Sequence, residues 1–124
     1  MIEPTQFFKC LSDETRLYAT LLIFLEGELC VCELMEALND NQSKISRHLA
    51  QLRNCGILDD ARRGQWVFYS VAKNLPEWAL GILREAAHAS AVPLKTLQKN
   101  LNSRMVGRKT RMKPGRTICR CSGR

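Results

Sequence analysis

The stretch that decides the fold is Gln42-Ser43-Lys44-Ile45-Ser46-Arg47-His48-Leu49-Ala50-Gln51-Leu52. Ile45, Leu49 and Leu52 recur at the spacing of a buried helical stripe. The opposite face of the same helix carries Lys44, Arg47, His48 and Gln51. Every side chain on that face forms hydrogen bonds, and uncharged serines and glutamines lie among the cations. This mixture favours a helix that reads base edges in the major groove over a merely solvated surface.

The segments on either side of this helix predict a winged helix-turn-helix. Upstream, residues 31–38 carry a helical core stripe, and the turn at residues 39–41 ends in Asn41, which can cap the next helix. Downstream, residues 57–61 and 66–71 have the composition of two strands, joined through Arg62-Arg63-Gly64-Gln65. These two strands form a β-hairpin with a doubly basic tip. The predicted fold class is therefore mainly α with a β-hairpin wing.

Helical spacing also predicts a helix capped by Ser12 and ended by Gly27, and a later helix opened by Pro76. The charge divides the chain, because residues 1–94 hold 9 Lys and Arg against 12 Asp and Glu, whereas residues 95–124 hold 10 basic residues and no acidic one. We therefore expect a DNA-binding and dimerisation domain in residues 1–92. Residues 93–124 should form a basic tail, with a short helix from Pro93 followed by disorder, that attracts polyanions without sequence preference.

Side-chain chemistry assigns roles to the predicted DNA-binding residues. Arg47 suits a bidentate contact with guanine, and Lys44 suits phosphate. One glutamine, Gln42 or Gln51, suits adenine. The two arginines at the hairpin tip are expected to bind phosphate. The residues predicted to contact DNA are Gln42, Ser43, Lys44, Ser46, Arg47, His48, Gln51, Arg62 and Arg63.

Cys30-Val31-Cys32 stands at the head of the helix that precedes the reading helix. Thiolates bind soft ions, so two of them here would couple metal capture to DNA release. In a regular helix, residues i and i+2 point about 200° apart. Cys30 and Cys32 could then face one ion only if the first helical turn unwound or tilted. The helix N-terminus would favour their thiolates. The alternative is that both are small core residues.

The chain has six cysteines, no apolar run long enough to span a bilayer, and no signal-peptide pattern. We therefore predict a cytoplasmic protein, whose cysteines are thiols or metal ligands more often than disulfides. Cys55, at the end of the reading helix, is expected to be a packing residue. The sequence offers no nucleophile–base pair, no glycine-rich phosphate loop and no acidic metal cluster, so we predict no enzyme activity.

These motifs resemble the ArsR/SmtB family of metal-responsive repressors, and specifically its arsenic branch. The resemblance spans residues 7–88 and is carried by LSDETR (11–16), ELCVCEL (28–34), SKISRHL (43–49) and GQWVFY (64–69). It implies a cytoplasmic homodimer bound to a palindromic operator. The resemblance also implies that the repressor leaves the DNA when arsenite or antimonite binds Cys30 and Cys32, with no resident cofactor required.

The family's arsenic signature often has a third cysteine three residues after the second, and this chain has Met35 there. A neutral thioether is a poor substitute for a thiolate, and Met35 falls on the core stripe, so we interpret it as a packing residue. The third ligand would then be Cys10, Cys119 or Cys121 of the same or the partner chain, or a small cellular thiol. Cys119 and Cys121 could instead form a second soft-metal site or simply oxidise.

Two other functions fit the residues. One keeps the fold but senses cadmium, lead or zinc through Cys30, Cys32 and other thiols. A repressor of that kind usually carries extra cysteines ahead of its first helix, whereas Cys10 lies inside the first helical segment. The other is a soft-metal buffering or trafficking protein whose basic tail binds acidic partners, and a specific DNA footprint would exclude it.

Overall fold

The computed structural model describes residues 2–104, with side chains to residue 101, as a mainly helical chain with one small sheet. Its elements are α1 (Pro4–Leu11), α2 (Glu14–Glu26), β1 (Leu29–Cys30), α3 (Val31–Leu38), α4 (Gln42–Asn54), β2 (Leu58–Arg63), β3 (Trp66–Val71), α5 (Glu77–Ala89) and α6 (Ala91–Arg104). Helices α3 and α4 form the helix-turn-helix, and β2 and β3 form the hairpin wing. The predicted fold class, mainly α with a β-hairpin wing, is confirmed. No helix within residues 2–104 is both long and apolar enough to cross a membrane.

Side-chain caps set the starts of α2 and α4. Asn41 caps α4 as predicted, because its side-chain oxygen accepts a hydrogen bond from the backbone N–H of Lys44 at 2.9 Å. The cap of α2 is Asp13 rather than the predicted Ser12. The Asp13 carboxylate accepts from the backbone N–H groups two and three residues further on, whereas the Ser12 hydroxyl donates back to the carbonyl oxygen of Lys9 at the end of α1.

The apolar face of α4 is buried, as its spacing predicted. Ile45, Leu49 and Leu52 are at most 1% exposed and belong to the main core, and α4 packs against α2, α3 and β2. Burying one such side chain is worth about 1.5–3 kcal/mol relative to exposing it, so this face fixes α4 on the domain. Met35 is partly buried against the same core, which agrees with its interpretation as a packing residue.

A short strand that the sequence analysis did not predict changes the setting of Cys30. Strand β1 pairs antiparallel with β3, so the sheet order is β1-β3-β2. Leu29 lies opposite Tyr69, and Cys30 lies opposite Phe68. Cys30 therefore ends a strand and precedes α3 as its N-cap, with extended backbone (φ −99°, ψ 171°), and it does not lie inside the helix.

Helix α6 extends the folded unit past the predicted boundary at residue 92. It begins at Ala91 and packs against α3, with Leu94 and Leu101 buried in the main core. The side-chain amide of Asn100 donates to the carbonyl oxygen of Ala37 on α3 at 3.1 Å. The predicted short helix from Pro93 is thus part of a docked helix. The predicted disordered tail, with Cys119 and Cys121, lies outside the described residues.

Candidate functional site

The N-terminal half of α4 carries the open part of the predicted reading face. Its exposed or partly exposed side chains are Gln42, Ser43, Lys44, Ser46 and Arg47. The Nζ of Lys44 lies 3.2 Å from Oδ2 of Asp40. The pKa of Asp40 is lowered from its ordinary value mainly because its carboxylate accepts a hydrogen bond from the backbone N–H of Asn41. A second hydrogen bond, from the side chain of Lys44, lowers it further. No acidic side chain within residues 2–101 forms an ion pair with Arg47, so its guanidinium can meet a base edge.

The C-terminal half of the same face is held against the protein. Arg16, on α2, donates from Nη1 to Oε1 of Gln51 at 3.0 Å, and the same nitrogen lies 3.3 Å from Nδ1 of His48. The Nε2 of His48 lies 4.0 Å from Oδ1 of Asp13. Burial lowers the pKa of His48 below its ordinary value, and the opposing effect of the Asp13 carboxylate does not cancel this. His48 and Gln51 remain predicted DNA contacts, but each has a partner within the chain.

The two arginines of the wing have different surroundings. Arg62 is exposed. Arg63 donates from Nη1 and Nη2 to both carboxylate oxygens of Glu28 at 2.9 Å, and its guanidinium lies 4.6 Å from the centre of the Phe68 ring. The hydrogen bond with Glu28 raises the pKa of Arg63 above its ordinary value. The charge predicted to bind phosphate at Arg63 is therefore already compensated within the chain.

We expect these two arginines to differ in their effect on salt dependence. Arg62→Gln should remove one cation per protomer available to phosphate and flatten the plot of log K against log salt by about 0.9 for each protomer bound. Arg63→Gln should change the slope less, because Glu28 already compensates that charge. Operator affinity measured at several salt concentrations tests both variants. A change of about 0.9 per protomer for Arg63→Gln would mean that the pair with Glu28 opens on DNA.

Cys30 and Cys32 share one small cluster beneath the wing. Both are buried and pack with Phe68, with Trp66 partly buried beside them. The backbone N–H of Cys30 donates to Oε1 of the buried Glu33 at 3.0 Å, which ties the end of β1 to the first turn of α3. Because Cys30 precedes the helix, the predicted divergence of two side chains inside a regular helical turn does not apply.

Cys10 and Cys55 form a disulfide, which corrects the expectation that they are thiols and that Cys55 merely packs. Cys10 lies on α1 and Cys55 follows the last residue of α4, so the bond joins two elements 45 residues apart. Sequence spacing could not reveal a proximity that arises only when α1 folds over the end of α4. In this bonded state Cys10 is not a third ligand for the Cys30–Cys32 pair.

The described part of the chain does not complete a metal site around Cys30 and Cys32. Within residues 2–101, no group of three or more His, Cys, Asp or Glu side chains is placed to hold a metal ion. Of the candidates for a third ligand within the chain, Cys119 and Cys121 lie outside the described residues. The predicted soft-ion site at these two cysteines therefore stays a prediction, as does its third ligand.

Sequence reasoning assigned no functional role to Arg16 or Glu28. Each lies in a motif that carried the family resemblance, within residues 11–16 and 28–34. The partners that give them a role are 32 to 35 residues away in the chain. The motifs marked the right segments, but only the folded structure shows which side chains these residues hold.

The comparisons with known proteins agree with this geometry. The family model described as "Bacterial regulatory protein, arsR family" matches residues 13–60, which include α2, α3 and α4. The arsenic resistance transcriptional regulator ArsR2 of Pseudomonas putida is 59% identical over 91 residues, 73% of this chain and 79% of that protein. The chain belongs to the arsR family. The arsenical resistance operon repressor of Escherichia coli is 47% identical over 98 residues, 79% of this chain and 84% of that protein.

Membership of the arsR family makes the chain a DNA-binding transcription regulator and not an enzyme, as predicted. Among solved structures, reduced HlyU from Vibrio cholerae superposes with a TM-score of 0.62 at 27% identity, covering 68% of this chain and 85% of HlyU. That likeness supports the assignment of α3, α4 and the hairpin to a winged helix-turn-helix.

Proposed function

We propose that this arsR-family regulator represses an arsenic-resistance operon and releases its operator when arsenite or antimonite binds Cys30 and Cys32. The observation that carries the proposal is the burial of both sulfurs in one cluster, at the end of β1 and the start of α3. Helix α3 is followed after only a short turn by α4, so a displacement at the cysteines has a short path to the reading helix. The protein acts in the cytoplasm and needs no resident cofactor.

The proposed repressor is a homodimer. Phe8 on α1 and Trp78 on α5 are exposed, with 52% and 37% of their surfaces accessible in the single chain. Both rings meet the buried Phe7 edge-on, at centroid distances of 5.7 and 5.3 Å. A second copy that covers these rings would remove apolar surface from water. Two reading helices related by a two-fold axis would match a palindromic operator.

Release follows from linkage between the inducer and DNA. In its reduced form Cys30 would supply a soft thiolate beside Cys32, and trivalent arsenic or antimony would be held by these two and a third thiol from Cys119, Cys121 or a small cellular thiol. The inducer must bind the DNA-incompetent conformation more tightly than the DNA-bound one. A coupling of about 1–3 kcal/mol would weaken operator binding about 5–150-fold.

Trp66 offers a direct test of inducer binding, because it packs against the cysteine cluster, whereas Trp78 packs against Phe7. In a Trp78→Phe variant, Trp66 is the only tryptophan, and arsenite should change its fluorescence in a saturable way. The matched Trp66→Phe variant keeps only Trp78 and should show no direct response. Adding Cys32→Ser to Trp78→Phe should abolish the change.

Two outcomes of this titration would contradict the proposal. One is a Trp66 signal that does not respond to arsenite. The other is a response that survives replacement of both Cys30 and Cys32 by serine. A parallel titration with cadmium separates the rival sensor, since saturation by cadmium but not by arsenite would assign the same cysteines to a cadmium-responsive repressor.

A further inference from the structure

The guanidinium of Arg16, on α2, connects α1 with the reading helix α4. The Nε of Arg16 donates to the carbonyl oxygen of Cys10 on α1 at 2.7 Å. Its Nη1 donates to Gln51 on α4 at 3.0 Å and lies 3.3 Å from Nδ1 of His48 on the same helix. An arginine has five N–H donors in a rigid plane. Three of them are directed toward α1 and α4, which leaves the two on Nη2.

The contact with Arg16 also sets the state of His48. Arginine nitrogen only donates, so Nδ1 of His48 must accept, and the proton of the neutral ring lies on Nε2. That nitrogen faces Oδ1 of Asp13 at 4.0 Å. Asp13 in turn caps α2, the helix that carries Arg16. Arg16, in the first turn of α2, therefore holds Nδ1 of His48 and Oε1 of Gln51, and the N-cap carboxylate of α2 lies near Nε2.

We propose that Arg16 is a positioning residue for DNA recognition, which fixes the angle of α4 on the domain by holding Gln51 and His48. Base reading then falls to the N-terminal half of α4, where Arg47 is exposed, and the C-terminal half of the face anchors the helix. Gln51 and His48 act within the protein rather than on bases. A small rotation of α4 would displace Arg47 from its base, so losing Arg16 costs sequence discrimination although Arg16 itself contacts no base.

The competing explanation is that Arg16 binds a DNA phosphate through Nη2. The two explanations differ in which quantity changes. Loss of one phosphate contact flattens the plot of log K against log salt by about 0.9 and weakens all DNA sequences alike. Loss of a positioning residue keeps that slope and lowers the ratio of operator affinity to non-specific affinity.

The experiment measures the affinity of full-length Arg16→Gln for operator and for scrambled DNA at several salt concentrations. We expect operator affinity to fall about 2- to 30-fold, the range found for residues that modulate a site without touching its ligand. The salt slope should stay constant, and scrambled DNA should bind as before. Arg16→Lys, which keeps the charge but not the planar fork, should show the same loss. The matched control, Arg84→Gln, removes the same charge from α5, where its carboxylate partner Glu77 lies on the same helix, and should keep the affinity ratio.

A second readout comes from His48 itself. The pKa of His48 is lowered first by burial, and then by the positive charges of Arg16, Lys44 and Arg47. The Asp13 carboxylate acts in the opposite direction. Removing the charge of Arg16 should therefore raise the pKa of His48, as followed by NMR. An unchanged pKa would show that the two side chains are not in contact in solution, which contradicts the proposal.

Gln51→Met keeps the proposal testable if Arg16→Gln does not fold. This change removes the acceptor for Arg16 and leaves the arginine in place. Under the proposal, operator discrimination should weaken at the base positions that the N-terminal half of α4 reads, including the position that Arg47→Ala affects. Loss of preference confined to a base position that Arg47→Ala does not affect would mean that Gln51 reads that base, and the proposal would be overturned. A slope reduced by about 0.9 per protomer in Arg16→Gln, with discrimination restored by Arg16→Lys, would overturn it in favour of a phosphate contact.

Discussion

Cys32→Ser is expected to leave operator binding near normal and to abolish release by arsenite. Cys32 is buried against Phe68 and lies away from the exposed face of α4, so its loss removes no DNA contact. A hydroxyl is a hard, protonated and weak ligand for a soft ion. Arsenite should therefore no longer lower the operator affinity of the variant, whereas it should lower that of the unaltered protein about 5- to 150-fold, or about 1–3 kcal/mol. Cys30→Ser should behave in the same way.

The control for the Cys30 and Cys32 variants is Cys55→Ser, which breaks the Cys10–Cys55 disulfide. It should keep the arsenite response, because Cys55 belongs to a separate cluster at the end of α4. The measurement is operator affinity, with and without saturating arsenite, for each variant. Loss of the response in Cys55→Ser, with retention in Cys32→Ser, would move the inducer site to the Cys10–Cys55 pair.

Arg47→Ala is expected to cost roughly 1–3 kcal/mol of operator binding and to relax the preference at one base position, since a bidentate arginine–guanine contact contributes that much discrimination. Arg47 is exposed on the half of α4 that faces away from the core. Affinities for a set of operators, each altered at one base pair, measure the effect. The control, Arg84→Ala, removes an equally exposed arginine from α5 and should leave base preference unchanged. A uniform loss across all operators would show that Arg47 binds phosphate.

The elements that could be predicted are those that local spacing determines. Ile45, Leu49 and Leu52 repeat at helical intervals, and burial of that stripe needs only a helix and a core. Asn41 caps α4 through a bond to a residue three positions away. The hairpin strand β3 runs from Trp66 to Val71 as predicted, because β-branched and aromatic residues are flanked by a turn containing glycine.

The features that sequence could not reveal depend on contacts between distant segments. Strand β1 has two residues and exists because it pairs with β3, about 39 positions further along the chain. The same holds for the Cys10–Cys55 bond, the pairing of Arg63 with Glu28 and the docking of α6 on α3. Because of such contacts, Cys30 lies at the end of a strand and not within a helix. Arg16 likewise holds two of the predicted DNA-binding side chains, His48 and Gln51.

The central claim is that occupancy of the Cys30–Cys32 pair is what releases the operator. The most direct test is one titration of the Trp78→Phe protein, bound to labelled DNA from upstream of its own gene, with arsenite. Trp66 emission and DNA anisotropy are followed in the same sample. We predict that the two signals change together and that the protein leaves the DNA as the cysteines are filled. A Trp66 signal that saturates while the protein stays fully bound to DNA would contradict the account.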